Sequence, residues 1–105
     1  MTTVEINPGV CGFVTKVTAE SEDGLTVKVH AASGCESVRD MMKDLGDVFD
    51  SFEVCLKKPG DGVFYKYASE HFPVHCGCPI ISGIIKAVEA ECNLALKKDV
   101  SIKFV

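Results

Sequence analysis

Four of the six cysteines stand beside glycines, a histidine or the start of a helical pattern, and these four could supply thiolates to one site: Cys11, Cys35, Cys76 and Cys78. The densest spacing is His75-Cys76-Gly77-Cys78-Pro79, which puts two thiols and an imidazole within four residues. Pro79 suits the first position of a helix, so we expect Cys78 to open one. Four thiolates suit zinc or an iron–sulfur cluster, and His75 is a reserve ligand.

The same thiols allow two other interpretations. Cys76 and Cys78 could cycle between a dithiol and a strained disulfide, or Cys78 could carry a persulfide, because a thiolate at a helix start is a better nucleophile than a buried thiol. Alternatively, the cysteines only pack as small hydrophobes in an interaction module. We expect this packing role for Cys92, which continues an apolar helical stripe, and for Cys55, which lies in an apolar segment.

Composition restricts the class of protein. A net charge of −4 without a basic stripe or any tryptophan predicts no binding to nucleic acid. The apolar runs are too short to span a bilayer, and the N-terminus shows no signal-peptide pattern, so we expect a cytoplasmic protein away from membranes. In that reducing compartment metal binding, redox chemistry or burial is favoured over disulfides. A protein partner is compatible with the sequence, which indicates no oligomeric state and no enzymatic reaction.

Apolar periodicity assigns most of the chain to strands and helices. Residues 12–20 and 25–32 alternate as two strands of a hairpin, and residues 100–104 alternate as a last strand. Helices are predicted from the capping pattern at Ser33 to Gly46, over residues 63–72, and from Pro79 to Asn93. Residues 47–74 are the hardest to assign: residues 49–56 fit either a short helix or a strand, and a Pro-Gly loop follows at residues 57–62.

These elements predict a single α+β domain over residues 1–105: a three-stranded antiparallel sheet with helices packed on one face. We place the last strand beside the first, which gives the strand order 2-1-3 and a right-handed crossover. If the last helix runs antiparallel to that strand, its start lies at the end of the sheet from which the first strand leaves. Cys11, Cys35 and the Cys76/Cys78 pair then converge, and helix N-termini there favour thiolates.

Several segments resemble a family of small uncharacterised cysteine-containing proteins from anaerobic bacteria and archaea. They are residues 9–13 (GVCGF), 33–36 (SGCE), 78–89 (CPIISGIIKAVE) and 94–100 (LALKKDV). In that family the cysteines matching Cys11, Cys35 and Cys78 belong to the motif, and Ile80-Ile81 departs from its tendency to a second proline. The resemblance implies no function, although an anaerobic setting would favour oxygen-labile thiolate chemistry.

Overall fold

The computed structural model describes residues 1–105 and contains a four-stranded sheet and four helices. The strands are β1 (Thr2–Ile6), β2 (Thr15–Glu20), β3 (Thr26–Ala32) and β4 (Val48–Asp50). The helices are α1 (Glu36–Leu45), α2 (Ser51–Cys55), α3 (Val63–His71) and α4 (Ile80–Glu91). The strands lie side by side in chain order, β1-β2-β3-β4, and each is antiparallel to the next.

The central strands β2 and β3 show the alternation that their sequences predict. Their buried rows are Thr15, Val17 and Ala19 in β2 and Val27, Val29 and Ala31 in β3. The turn between them is held by Asp23, whose Oδ1 accepts hydrogen bonds from the N–H groups of Leu25 and Thr26. Because the buried rows pair directly, with Val17 opposite Ala31, one face of the sheet is apolar and the other is polar.

Helix α4 packs over the apolar face, and contacts near its two ends fix its direction. Near its start, Gly83 lies so close to Ile6 that a Cβ on the glycine would overlap the Cδ1 atom of Ile6. Near its end, Glu91 accepts hydrogen bonds from the Thr2 hydroxyl (2.8 Å) and the Ser21 N–H (3.0 Å). Helix α4 therefore runs antiparallel to β1.

The remaining helices complete the core beside α4. Helix α1 contributes Val38 and Met41, and α3 contributes Phe64, whose ring lies 4.9 Å from that of Phe49 in β4 (centroid to centroid). All four of these side chains join one buried cluster with the sheet and α4. None of the four helices combines the length and the apolar composition that crossing a membrane requires.

The predicted three-stranded sheet of order 2-1-3 is wrong. The place beside β2 belongs to β1, and residues 100–104 form no strand. Apolar alternation indicates that a segment forms a strand but does not specify which strand it pairs with. β1 pairs with β2 because only residues 7–14 connect them, and strands joined by a short connection usually lie side by side. The second missing strand, β4, is three residues long, too short for alternation to identify.

The ambiguous segment 47–62 holds both a strand and a helix. Phe49 pairs with Val27 across β3 and β4, and the helix α2 begins two residues later, at Ser51. Asp50 caps α2 because its Oδ1 accepts hydrogen bonds from the N–H groups of Phe52 (2.9 Å) and Glu53 (3.2 Å). Asp50 therefore marks the residue at which the strand ends and the helix begins, a boundary that the apolar pattern did not indicate.

Candidate functional site

One end of the sheet gathers the chain segments that carry four cysteines, and we call it the cysteine end. It comprises the end of β1, the start of β2 and the end of β3, because Ile6 pairs with Thr15 and Lys16 pairs with Ala32. The start of α4 lies at the same end, since Gly83 packs on Ile6. The strand order that led us to expect this grouping is wrong, but β1 takes the place and direction assigned to the last strand.

Cys11 lies exposed in the connection between β1 and β2. Two glycines with positive φ, Gly9 (+84°) and Gly12 (+72°), turn the chain on either side of it, and the Gly12 N–H donates to the Gly9 carbonyl (3.0 Å). The ring of Phe13 then packs on Gly34, where a Cβ would lie 3.0 Å from Phe13 Cδ1. This contact ties the Cys11 connection to the residue that precedes Cys35.

Cys35 is half-buried at the N-cap of α1 and packs against the core. Its N–H donates to Ser33 Oγ (3.1 Å), and that oxygen also accepts from the Thr15 hydroxyl (2.7 Å). Ser33 therefore orders the turn ahead of the helix and is not the helix cap that the sequence predicts. The Cys35 side chain makes no cap hydrogen bond.

Cys76 and Cys78 lie in the turn that precedes α4. Cys76 is exposed, whereas Cys78 is half-buried and packs against the core. The Cys78 N–H points back to the carbonyl of His75 (3.4 Å), and the His75 side chain is exposed. Pro79 is the N-cap of α4, so Cys78 lies one residue outside the cap rather than in the first turn.

The four thiols share an end of the sheet but do not form a ready set of ligands. All six cysteines are free, and no group of three or more His, Cys, Asp or Glu side chains is arranged to hold a metal ion. The segments of Cys11 and Cys35 are joined by direct packing, and α4 is joined to β1. No hydrogen bond links the Cys76–Cys78 turn to the other two segments.

The other two cysteines pack against α4: Cys92 is buried at the C-cap of this helix, and Cys55 is half-buried against the core. Burial is the main cause that raises the pKa of the Cys55 thiol to about 12, and the negative charge of Glu89 adds to it. Burial likewise raises the pKa of Cys92, which is 6% exposed. Both groups therefore remain neutral thiols near neutral pH, and Cys55 donates weakly to the Ile85 carbonyl (Sγ···O 3.9 Å).

A polar groove between α1 and α3 was missed at the level of sequence. Its centre is Tyr67, whose hydroxyl donates to Asp44 Oδ2 (2.6 Å) and whose ring stacks on His71 at 4.1 Å. The hydrogen bond to Asp44 is the main cause that raises the pKa of Tyr67 to about 12. The i, i+4 spacing of Tyr67 and His71 in a predicted helix was the available signal, but Asp44 comes from another helix.

Comparison with known proteins gives one match. The family described as "Family of unknown function (DUF6951)" matches residues 2–104, nearly the whole chain. No curated protein and no solved structure matches. The matching family has no known activity, so the functional argument depends on the arrangement of the cysteines.

Proposed function

The chain belongs to this family of unknown function, and we propose that its cysteine end binds a soft metal ion, zinc or the iron of an iron–sulfur cluster. The ligands are Cys11, Cys35 and Cys78, with Cys76 as the fourth. Four thiolates satisfy a closed tetrahedral zinc site or one cluster, whereas three leave a position open to an outside ligand. Cys76 therefore decides between a structural centre and one that exchanges ligands.

The observation that carries this proposal is the pair of close contacts that bring three cysteine-bearing segments to one end of the sheet. Phe13 packs on Gly34, and Ile6 packs on Gly83. In each pair a glycine lets the backbone approach more closely than a side chain would permit. Both contacts lie within five residues of a proposed ligand, so they restrict how far the thiols can separate.

A raised thiol pKa makes the two cysteines outside the proposed site poor ligands. A metal ion binds the thiolate, so a ligand must lose its proton and meet solvent or the ion. Cys11 and Cys76 are exposed and Cys35 and Cys78 are half-buried. Cys55 is also half-buried, but burial and the charge of Glu89 raise its pKa to about 12. Burial likewise raises the pKa of Cys92, so both are poor ligands.

The four thiols must move toward one another to bind one ion, because they form no ready group of ligands. Cys11 and Cys76 lie in connections without helix or strand, whereas Cys35 adjoins α1 and Cys78 adjoins the α4 cap. Metal binding commonly supplies the free energy that orders such segments. We therefore expect the Cys11 connection and the turn before α4 to close on the ion. We also propose a cytoplasmic location, because free thiols persist in a reducing compartment.

The test is metal analysis and the visible spectrum of the full chain purified anaerobically, with Zn²⁺, or ferrous iron and sulfide, added to the metal-free protein. We expect stoichiometric zinc, or a brown protein containing iron and sulfide. Cys11→Ser, Cys35→Ser and Cys78→Ser should each lower affinity at least about 100-fold, since losing even an outer-shell partner costs 10- to 100-fold. Cys55→Ser and Cys92→Ala are matched controls that should bind normally.

Two results would end this proposal. One is the absence of zinc, iron and sulfide after anaerobic purification and reconstitution of protein with native circular dichroism. The other is binding that survives each of the three ligand substitutions. Cys76→Ser tests the fourth position. If the centre has four thiolates, this substitution should lower affinity as strongly as the other three do. If the centre has three, it should not.

A second candidate is a thiol redox protein, favoured by the exposed Cys76 two residues from the half-buried Cys78. Forming their S–S bond removes two electrons and two protons, and an external disulfide that accepts them is reduced to two thiols. Metal-free protein that exchanges with glutathione disulfide through Cys76 and Cys78, and no longer does so in Cys78→Ser, would favour this candidate over the metal site.

A further inference from the structure

The last ten residues form neither a helix nor a strand and are all exposed, and we call residues 96–105 the C-terminal arm. No residue of the arm makes a hydrogen bond through its backbone or its side chain. Its large apolar side chains are all strongly exposed; they are Leu96, Val100, Ile102, Phe104 and Val105. Ile102, at 84% exposure, shows the extent of the apolar surface left in water.

The sequence of the arm is that of a strand with one apolar face. Val100, Ile102 and Phe104 alternate with Ser101 and Lys103, a period of two that predicts pairing along one edge. Unpaired strands with exposed apolar rows are prone to add to an open sheet edge. A segment with this pattern and no partner in its own chain therefore presents half of an interface.

The other half is the outer edge of β1. This strand pairs only with β2, so the backbone groups along its outer side meet no other strand. β1 is five residues long and matches residues 100–104 in length, whereas the opposite edge strand, β4, has three residues. The inward row of β1, Thr2, Val4 and Ile6, would continue into the apolar row of the arm.

Charges agree with this pairing. The arm carries Lys97, Lys98 and Lys103 against one acidic residue, Asp99, while the chain as a whole has a net charge of −4. The arm is thus positive and the remainder of the chain is negative. On the outward faces, Lys103 of the arm would lie beside or diagonal to Glu5, which is exposed on β1.

We propose that the C-terminal arm adds as a strand to the outer edge of β1 in a second copy of this chain. Each copy offers both an unpaired strand and an unpaired edge, so a reciprocal exchange satisfies two arms and two edges in a closed two-fold dimer. The arm leaves from the hairpin end of the sheet, where Gly24 approaches the Cys92 carbonyl. This interface is independent of the cysteine end and of the proposed metal.

The first test is sedimentation velocity of the full chain together with hydrogen exchange at low and high protein concentration. We expect a dimer whose arm and β1 amides are protected together and lose that protection together on dilution. A monomer with an unprotected arm at high concentration overturns the proposal. So does an arm that is protected equally at every dilution in a chain that sediments as a monomer, since that arm pairs within one chain.

Substitutions then locate the contact. Ile102→Asp puts a charge in the apolar row and should raise the dimer dissociation constant at least about tenfold. Its matched control, Ser101→Asp, adds the same charge on the outward face and should have a smaller effect. Lys103→Glu should weaken the dimer, and adding Glu5→Lys should restore it. A dimer indifferent to Ile102→Asp, or a charge swap without rescue, overturns the assignment of arm to β1.

Discussion

The side chain of Ile6 fills the space beside Gly83 that any larger residue would need. A Cβ on Gly83 would overlap both Cγ1 and Cδ1 of Ile6, which is itself buried at the end of β1. This contact decides where α4 begins relative to the sheet. It therefore decides at which end of the sheet Cys78 lies.

Gly83→Ala should destabilise the protein although alanine is the better helix former. The overlap forces Ile6 from its position, and overpacking of this kind costs about 1–3 kcal/mol, more than the ~1 kcal/mol of helix propensity gained. Urea unfolding would measure the change. In an Ile6→Val background, where Cδ1 is absent, Gly83→Ala should cost less. Equal costs in both backgrounds would show that the contact is not strained.

Glu91 should stabilise the protein near neutral pH and lose this effect in acid. Burial raises the pKa of this carboxyl, but hydrogen bonds from Thr2 and Ser21 and the nearby N-terminal ammonium outweigh it, so its pKa is lowered below 4.5. Because the folded pKa lies below the unfolded one, the stabilisation is present above about pH 4.5 and is lost as pH falls through the folded pKa.

Glu91→Gln should therefore lower stability at pH 7 by about 1.5–3 kcal/mol, the usual contribution of hydrogen bonds to a charged group. The loss should shrink on acidification, which urea unfolding across pH 3–7 would reveal. Glu22→Gln, at an exposed position of the neighbouring turn, is the matched control and should change little. A Glu91→Gln deficit that stays constant with pH would contradict the assigned role.

Cys55 should make stability fall at alkaline pH. The pKa of Cys55 in the folded chain, about 12, lies above the reference value of 9.0, so the thiol ionises first in the unfolded chain. Its contribution to stability is therefore present below about pH 9 and is lost as the pH rises toward 12. The midpoint temperature of thermal unfolding should fall more steeply above pH 9 for the native chain than for Cys55→Ala. Alkylation of Cys55 at pH 9 should be at least about tenfold slower in the folded protein than in the urea-unfolded chain. Equal rates would refute the raised pKa.

Asp50→Ala should cost about 0.5–2 kcal/mol, since it removes the oxygen that caps α2 at Phe52 and Glu53. Asp47→Ala removes a nearby exposed carboxylate that accepts no hydrogen bond and should be close to neutral. Asp50→Asn should retain most of the stability. Chemical denaturation of the three variants measures these differences, and similar costs at positions 47 and 50 would rule out the cap.

Sequence predicted the elements that repeat a local period. Strands β2 and β3 and helices α1, α3 and α4 lie where apolar spacing indicates, and Val17, Val29, Met41 and Ile84 are buried as expected. The edges of the sheet were not predictable in this way. Val4 lies in a short extended run, residues 3–6, that the predicted sheet did not include, and Val100, Ile102 and Phe104 alternate without a partner in the chain. Local spacing specifies which residues share a face, whereas pairing depends on contacts distant in sequence.

The candidate site shows the same division. Sequence indicated that Cys92 and Cys55 pack among apolar neighbours, and Cys92 is buried in the core whereas Cys55 is half-buried against it. It also grouped Cys11 and Cys35, which flank a hairpin. It could not supply the positions of the four sulfurs relative to one another, because these depend on loop conformations such as the turn at Gly9 and Gly12.

The sequential strand order bears on how the chain folds. Each strand meets its neighbour through a local connection, and such topologies close quickly because little loop entropy is lost. The contact of Glu91 with Thr2, in contrast, joins residues 89 positions apart. We therefore expect the sheet to form early and α4 to dock last. In the late folding intermediate, Cys78 is still separated from Cys11 and Cys35. Stopped-flow refolding would detect it as a slower phase that Gly83→Ala retards.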